Sequence, residues 1–435
     1  MKRILRLLVL MQFGVSVALG QTLYFPPKLG AWETVDPVAL KWNTTYFDTL
    51  SQYLDTAHTK SFMILKDGRI AWEQYFGTFT QDSLWFWASA GKTLTATMVG
   101  IAQEEGYLNI DQKTSDFLGV GFTSLASEKE ALITIRHQLT MTTGLEDDVP
   151  DTDCTLPECL KYKADAGTRW AYYNAAYLLL HPVLEAATGK NINTLIYQWI
   201  NQKIGMTGFW YDHVYYSKAR DAARFGLMML AGGQWDGEAV VADTAYFNRM
   251  VNTSQSLNKS YGYLWWLNGK ESFMIPQSQL VLPGSMIATA PDDLIAGLGK
   301  YDQRVYVVPS ENLVVVRFGQ DAGAFIVGPT SFDTRVWGIL QKLIHGPGGI
   351  EQAHHAAILQ AVPNPTHGMF SISGISCPHE PLSVEVRTLD GSLIKTQMLA
   401  AQDLDIDLGG LAAGGYMLRL VGQQKVYTVK CLLAP

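Results

Sequence analysis

Near residue 345 the hydrophobic pattern changes period, and that break divides whatever the chain can fold into. Before it, apolar runs of strand and helix length follow one another. After it, Val384, Val386 and Thr388 alternate with Glu385 and Arg387, as on a half-buried strand. The break reads His345-Gly-Pro-Gly-Gly349 and runs past His354 and His355 to Pro363-Asn-Pro365, chemistry that ends helices and favours extended chain. Residues 346–361 are therefore expected to be a linker, with the two histidines solvated rather than metal-bound. Beyond it, Asp390-Gly391 is a strong hairpin turn, residues 416–420 follow Gly414-Gly415, and residues 427–430 add another strand. Residues 362–435 are predicted to form a small β-sandwich with no nucleophile–base pair of its own.

The remainder is large enough for one deep core: of 435 residues, 48% are hydrophobic and only 17% charged, which excludes a disordered chain. Net charge is −7 with no long basic run, so a nucleic-acid partner is disfavoured. Lys2, Arg3 and Arg6 precede an apolar stretch ending at Ala18-Leu19-Gly20, so residues 1–20 read as a removable signal peptide. That stretch, about 13 residues, falls short of the ~20 needed to span a bilayer. No other run is longer, and the mature protein is expected to have no transmembrane span. Export makes disulfides feasible. Cys154 and Cys159 lie close together, with Cys377 and Cys431 in the separate tail, a segregation that suggests two local bridges. Free buried thiols are the alternative.

Residues 21–345 mix strands and helices. Residues 62–65 and 70–72 flank Asp67-Gly68, and residues 304–308 and 313–317 flank a turn at residues 309–312. Helical patterns follow Ser89, cover residues 135–141, and cover residues 175–187. Strands at both ends with helices between predict an α+β unit: one antiparallel sheet closed by the two ends, with a helical insertion.

Three elements carry chemistry. In Ser89-x-x-Lys92, residues three apart on a helix share a face, so the amine can reach the hydroxyl. Serine is a weak nucleophile that needs a base beside it, and lysine serves as one when burial lowers its pKa. The same spacing occurs at Ser256 and Lys259 and at Ser392 and Lys395, but only Ser89 opens an apolar helix. Tyr172-x-Asn174 offers a phenol to relay protons and an amide to orient its neighbours. Its pattern also recurs, at Tyr107 and Asn109 and at Tyr246 and Asn248. Gly297-Leu298-Gly299, just before a strand, lets backbone approach a substrate closely.

In this order the three elements resemble the serine β-lactamase and penicillin-binding protein superfamily, most closely the class C β-lactamase-related hydrolases that include family VIII esterases and 6-aminohexanoate-dimer hydrolases. Residues 133–145, 221–226 and 261–266 add further landmarks, and the likeness covers roughly 300 residues. It implies a β-lactamase-like fold in which Ser89 attacks an acyl carbonyl while Lys92 and Tyr172 exchange the proton. Asn174 would hold Lys92 or a substrate amide, and the backbone N–H groups of Ser89 and Lys300 would cradle the oxyanion. No cofactor or metal is implied. One departure stands out: β-lactamases carry Lys-Thr-Gly where this chain has Gly297-Leu298-Gly299, and strand alternation aims Lys300 elsewhere. The expected substrate is thus a small ester or amide. The alternatives are a β-lactamase or D-amino-acid peptidase, and a surface binding protein on a degenerate hydrolase fold.

The tail resembles the C-terminal sorting domain of the type IX secretion system, on Pro363-Asn-Pro365, Gly368, residues 384–386, Asp390-Gly391, residues 411–414 and Tyr416. That implies the secretion machinery as partner and a secreted or cell-surface location reached through the periplasm. Asp147, Asp148, Asp151 and Asp153 are expected to form a solvated loop near the pocket entrance, with calcium binding as the alternative. His137 and His213 are expected to be structural.

Overall fold

In the computed structural model, which describes residues 23–323, 328–346, 360–362, 364, 366–373, 382–388, 392–399, 405–421 and 426–434, the two ends of the larger unit meet in one sheet. The segment read as a signal, most of the stretch read as a linker with its histidine pair, the expected Asp390-Gly391 turn and Cys377 lie outside the described residues.

The principal elements of the first unit are α1 (Tyr46–Thr56), β1 (Thr59–Lys66), β2 (Arg69–Tyr75), α2 (Lys92–Glu104), α3 (Asn174–Leu178), α4 (Leu180–Thr188), α5 (Ala219–Leu230), β3 (Trp266–Leu267), β4 (Ile295–Gly299), β5 (Gln303–Val308), β6 (Leu313–Gly319) and α6 (Ser331–His345). The sheet runs β2-β1-β6-β5-β4-β3, antiparallel throughout. The first hairpin turns on Asp67 at φ 51° and Gly68 at φ 82°, two left-handed residues of the kind a tight hairpin requires.

Every residue of β6 is buried because the sheet is covered on both faces. Val305 and Val314 point at Gly226 of α5. On the opposite face, Tyr306 meets Trp337 of α6 edge-on and Arg317 lies over the Phe332 ring. Burial on both faces explains a continuous apolar run where a half-exposed strand would alternate. The helical insertion sits between β2 and β3, with α2 buried from Lys92 through Ala102. The helix predicted over residues 175–187 is two: Pro182 has no N–H to bond the Leu178 carbonyl one turn back, and the helix is re-set at Leu179.

In the tail, β7 (Gln360–Val362), β8 (Met369–Ser373) and β11 (Asp405–Asp407) form one sheet. The second holds β9 (Leu382–Thr388), β10 (Leu393–Leu399), β12 (Gly414–Val421) and β13 (Val426–Leu433), in the order β10-β9-β12-β13. Phe370, Ile372 and Ile406 from the first meet Val384, Val386 and Leu418 from the second in one core. The cysteines depart from two bridges. Cys154 and Cys159 are disulfide-bonded, but Cys431 is a free thiol buried in the tail core, where it packs as a small apolar side chain. Among the described residues no helix is long and apolar enough to cross a membrane.

Candidate active site

Ser89 sits in a single 3-10 turn, Ala88–Gly91, that leads directly into α2. Trp87 anchors the turn: its indole is buried and donates to Ser217 Oγ at 2.8 Å, and its carbonyl accepts from Ala90 N at 3.1 Å. Ala88 adopts φ 46°, a left-handed conformation rare for a residue with a Cβ, immediately before the hydroxyl.

Lys92 opens α2 and is 4% exposed, with Nζ 3.0 Å from Ser89 Oγ. The same amine donates to Asn174 Oδ1 at 2.8 Å, and Asn174 is the first residue of α3. It also lies 4.3 Å from the centre of the Tyr177 ring and 5.1 Å from that of Tyr172. Burial pushes the Lys92 pKa down to about 7, against the weaker pull of the Asp153 carboxylate. The amine is therefore neutral in much of the protein near neutral pH, with a lone pair free to accept a proton.

Tyr172 is buried just before α3, its ring stacked on Trp266 of β3 at 5.7 Å and met edge-on by Tyr261 at 6.2 Å. Burial raises its phenol well above the ordinary range, while a hydrogen bond with the Ser89 hydroxyl works in the opposite direction.

The third element is β4. Gly297 and Gly299 are both buried, and β4 lies directly against the Ser89 turn. At Gly299 a Cβ would stand 2.3 Å from the Trp87 carbonyl oxygen, so no side chain fits. The turn that follows carries Tyr301 at φ 60° and Asp302 at φ 57°. Three side chains hold its carbonyls: Arg304 donates to Gly299 O at 2.8 Å, Arg317 to Tyr301 O at 2.7 Å, and Gln303 to Tyr301 O at 2.9 Å. The exposed Lys300 side chain folds over the Tyr301 ring, its amine 5.1 Å from the ring centre.

Residues 48–324 match the family model described as Beta-lactamase. The chain belongs to the β-lactamase family. A curated relative, the 6-aminohexanoate-dimer hydrolase of Paenarthrobacter ureafaciens, is 23% identical over 341 residues, which cover 68% of this chain and 80% of the relative. Among solved structures, one assigned provisionally as a 6-aminohexanoate-dimer hydrolase from Bacillus anthracis superposes with a TM-score of 0.54 at 18% identity, covering 75% of this chain and 88% of its own. A class C β-lactamase in complex with cefoxitin gives 0.52 at 17% identity, covering 71% and 100%. The antiparallel sheet with its helical insertion is thus the β-lactamase and penicillin-binding protein fold of this family of serine hydrolases. Residues 360–434 match the secretion system C-terminal sorting domain, the type IX sorting tail that addresses a protein to secretion or the cell surface.

In this β-lactamase-family protein, the sites that share spacing with the candidates are committed elsewhere. Lys259 pairs with Glu271, and Lys395 donates to Asp407 O. Tyr246 donates to Ala96 O and Tyr107 is exposed. His137 takes part in the capping box of the short helix Ile135–Leu139, and His213 is exposed in a left-handed turn. Three residues near Lys92 escaped the motif reading. Tyr177 and His181 look like core positions of an apolar helix, and Asp153 was one of four acids in a loop. His181, within reach of the Lys92 charge and bonded to Thr95 Oγ1 at 3.0 Å, is driven down to about 3 by burial and stays neutral. In the acidic loop, Asp147 pairs with Arg169 at 2.6 Å, and Asp153 accepts from Asn174 Nδ2 at 2.8 Å.

Proposed function

We propose that this β-lactamase-family protein hydrolyses a small ester or amide through an acyl-enzyme on Ser89. The observation that carries the reading is the buried Lys92 amine, 3.0 Å from Ser89 Oγ, with its pKa near 7. Lys92 takes the Ser89 proton as Oγ attacks the acyl carbonyl. The tetrahedral oxyanion is held by the N–H groups of Ser89, in the first turn of its short helix, and of Lys300, just past Gly299. The proton passes through Tyr172 to the leaving alcohol or amine, the C–O or C–N bond breaks, and the acyl group stays on Ser89. A water then enters, loses its proton to the same Lys92 and Tyr172 pair, and releases the acid. Asn174 holds Lys92 in place throughout.

An ester or amide is favoured over a β-lactam or a D-amino-acid peptide because Gly297-Leu298-Gly299 carries no side-chain cation for a substrate carboxylate. The curated relative's name, 6-aminohexanoate-dimer hydrolase, supports the same reading. A surface binding protein would have no need for Ser89, Lys92 and Asn174 to stay in hydrogen-bond contact. Residues 1–20 act as the export signal in this reading, residues 21–345 as the hydrolase and residues 362–435 as the tail, with passage through the periplasm. A panel of p-nitrophenyl esters, anilides and nitrocefin tests the proposal. Turnover of esters or anilides that vanishes in Ser89→Ala supports it; turnover of nitrocefin alone would shift it to the β-lactamase alternative.

A further inference from the structure

Asn174 is gripped from two sides. Its Oδ1 accepts from Lys92 at 2.8 Å, and its Nδ2 donates to Asp153 Oδ1 at 2.8 Å. We propose that Asp153 is a positioning residue for Lys92: by accepting from Nδ2 it fixes which end of the Asn174 amide faces the amine, and so aims the amine at Ser89. This rests on Lys92 acting as the base for Ser89.

An asparagine amide has one accepting and one donating end, and the two are nearly the same size. Nothing in its shape prevents a flip that would turn NH2 toward the Lys92 amine. A carboxylate only accepts, so Asp153 selects the orientation that leaves Oδ1 for Lys92. A neutral amine has two N–H bonds and one lone pair. With one N–H committed to Asn174 Oδ1, the lone pair is free to point toward Ser89 Oγ, 3.0 Å away.

The loop that carries Asp153 is secured on both sides of it. Ala175 N, on α3, donates to Thr152 O at 2.8 Å, and Cys154 is bridged to Cys159. The neighbouring acid Asp147 is occupied by Arg169. The groups that face Lys92 are Ser89 from the 3-10 turn, Tyr172 from the segment before α3, Asn174 and Tyr177 from α3, His181 from α4, and Asp153 from the loop. Asp153 is the carboxylate among them, and its charge favours the protonated amine.

The test uses the full chain and the second-order rate of labelling by a fluorophosphonate, measured from about pH 5 to pH 9. In Asp153→Asn the acidic-limb midpoint should move below its value in the unaltered protein, because the charge that favours the ammonium form is gone. The alkaline plateau should fall about tenfold, as the Asn174 amide loses its fixed sense. Asp153→Glu, which keeps charge and acceptor, should return the midpoint toward that of the unaltered protein. An unmoved midpoint in Asp153→Asn, with or without a lower plateau, overturns the proposal, since a merely damaged loop lowers the rate without shifting the titration. Undiminished labelling of Ser89→Ala would instead overturn the hydrolase reading on which it rests.

Discussion

Gly299 and Trp87 approach so closely that a Cβ at position 299 would lie 2.3 Å from the Trp87 carbonyl oxygen and 3.0 Å from Ala90 N. The two residues bracket the Ser89 turn, so relief of that clash must displace either the serine or the strand edge beside it. At Gly297 the nearest atoms are Thr93 Cγ2 at 3.3 Å and Ala90 O at 3.4 Å, a contact that a small shift accommodates. Gly299→Ala should therefore cost ~10²-fold or more in kcat toward p-nitrophenyl acetate, the scale of a lost oxyanion donor, while Gly297→Ala costs much less. Steady-state kinetics of the two variants, with circular dichroism to show that both are folded, makes the comparison.

Lys92 ties activity and stability to pH in the same sense. Activity should rise with pH through about 7, as the buried amine loses its proton. The unfolded chain keeps this lysine protonated to about pH 10.4, so between the two values the unfolded state binds more protons, and stability grows as pH rises. Below pH 7 the folded protein bears the full cost of a buried ammonium. Lys92→Met, inactive, should be more stable than the unaltered protein by up to about 4 kcal/mol near pH 6, with the gap closing toward pH 10. Urea unfolding at several pH values reads it.

The Cys154–Cys159 bridge closes a short loop, for which chain entropy in the unfolded state amounts to about 2 kcal/mol. Cys154→Ser with Cys159→Ser should lower the unfolding midpoint accordingly. A reductant should lower the midpoint of the unaltered protein and leave that of the double variant where it is. Differential scanning calorimetry with and without dithiothreitol separates these cases.

Arg304 is buried with Asp302 and Asp333, each 2.7 Å away, and the same guanidinium holds the Gly299 carbonyl. Truncating one partner of such a cluster leaves charge uncompensated in the core. Asp333→Ala should destabilise the protein by about 3–5 kcal/mol in chemical denaturation. It also removes the capping-box acceptor of α6.

What could be read from the residue order was what depends on local geometry. Ser89 and Lys92 are three apart on one helical turn, and Asp67-Gly68 can hardly be other than a hairpin. The pairing of β1 with β6 followed from strands at both ends of the unit. Asp153 was hidden because it meets Asn174 from 21 positions away, and four acids in one loop give no sign of which one reaches the Asn174 amide. Tyr177 on α3 and His181 on α4 were hidden by the apolar pattern of residues 175–187, which is the same whether a tyrosine packs against leucine or under an amine. The split of the residue 175–187 helix could have been read from Pro182 alone. Cys431 was misjudged because a free thiol and a half-cystine fit equally well at an inward strand position.

Acylation of Ser89 tests the central claim most directly. The full-length protein incubated with a p-nitrophenyl ester, quenched in acid and examined by intact-protein and peptide mass spectrometry, should carry one acyl group on the peptide containing Ser89. The Ser89→Ala protein should carry none. An adduct on another residue, or ester turnover that persists in Ser89→Ala, would contradict the account.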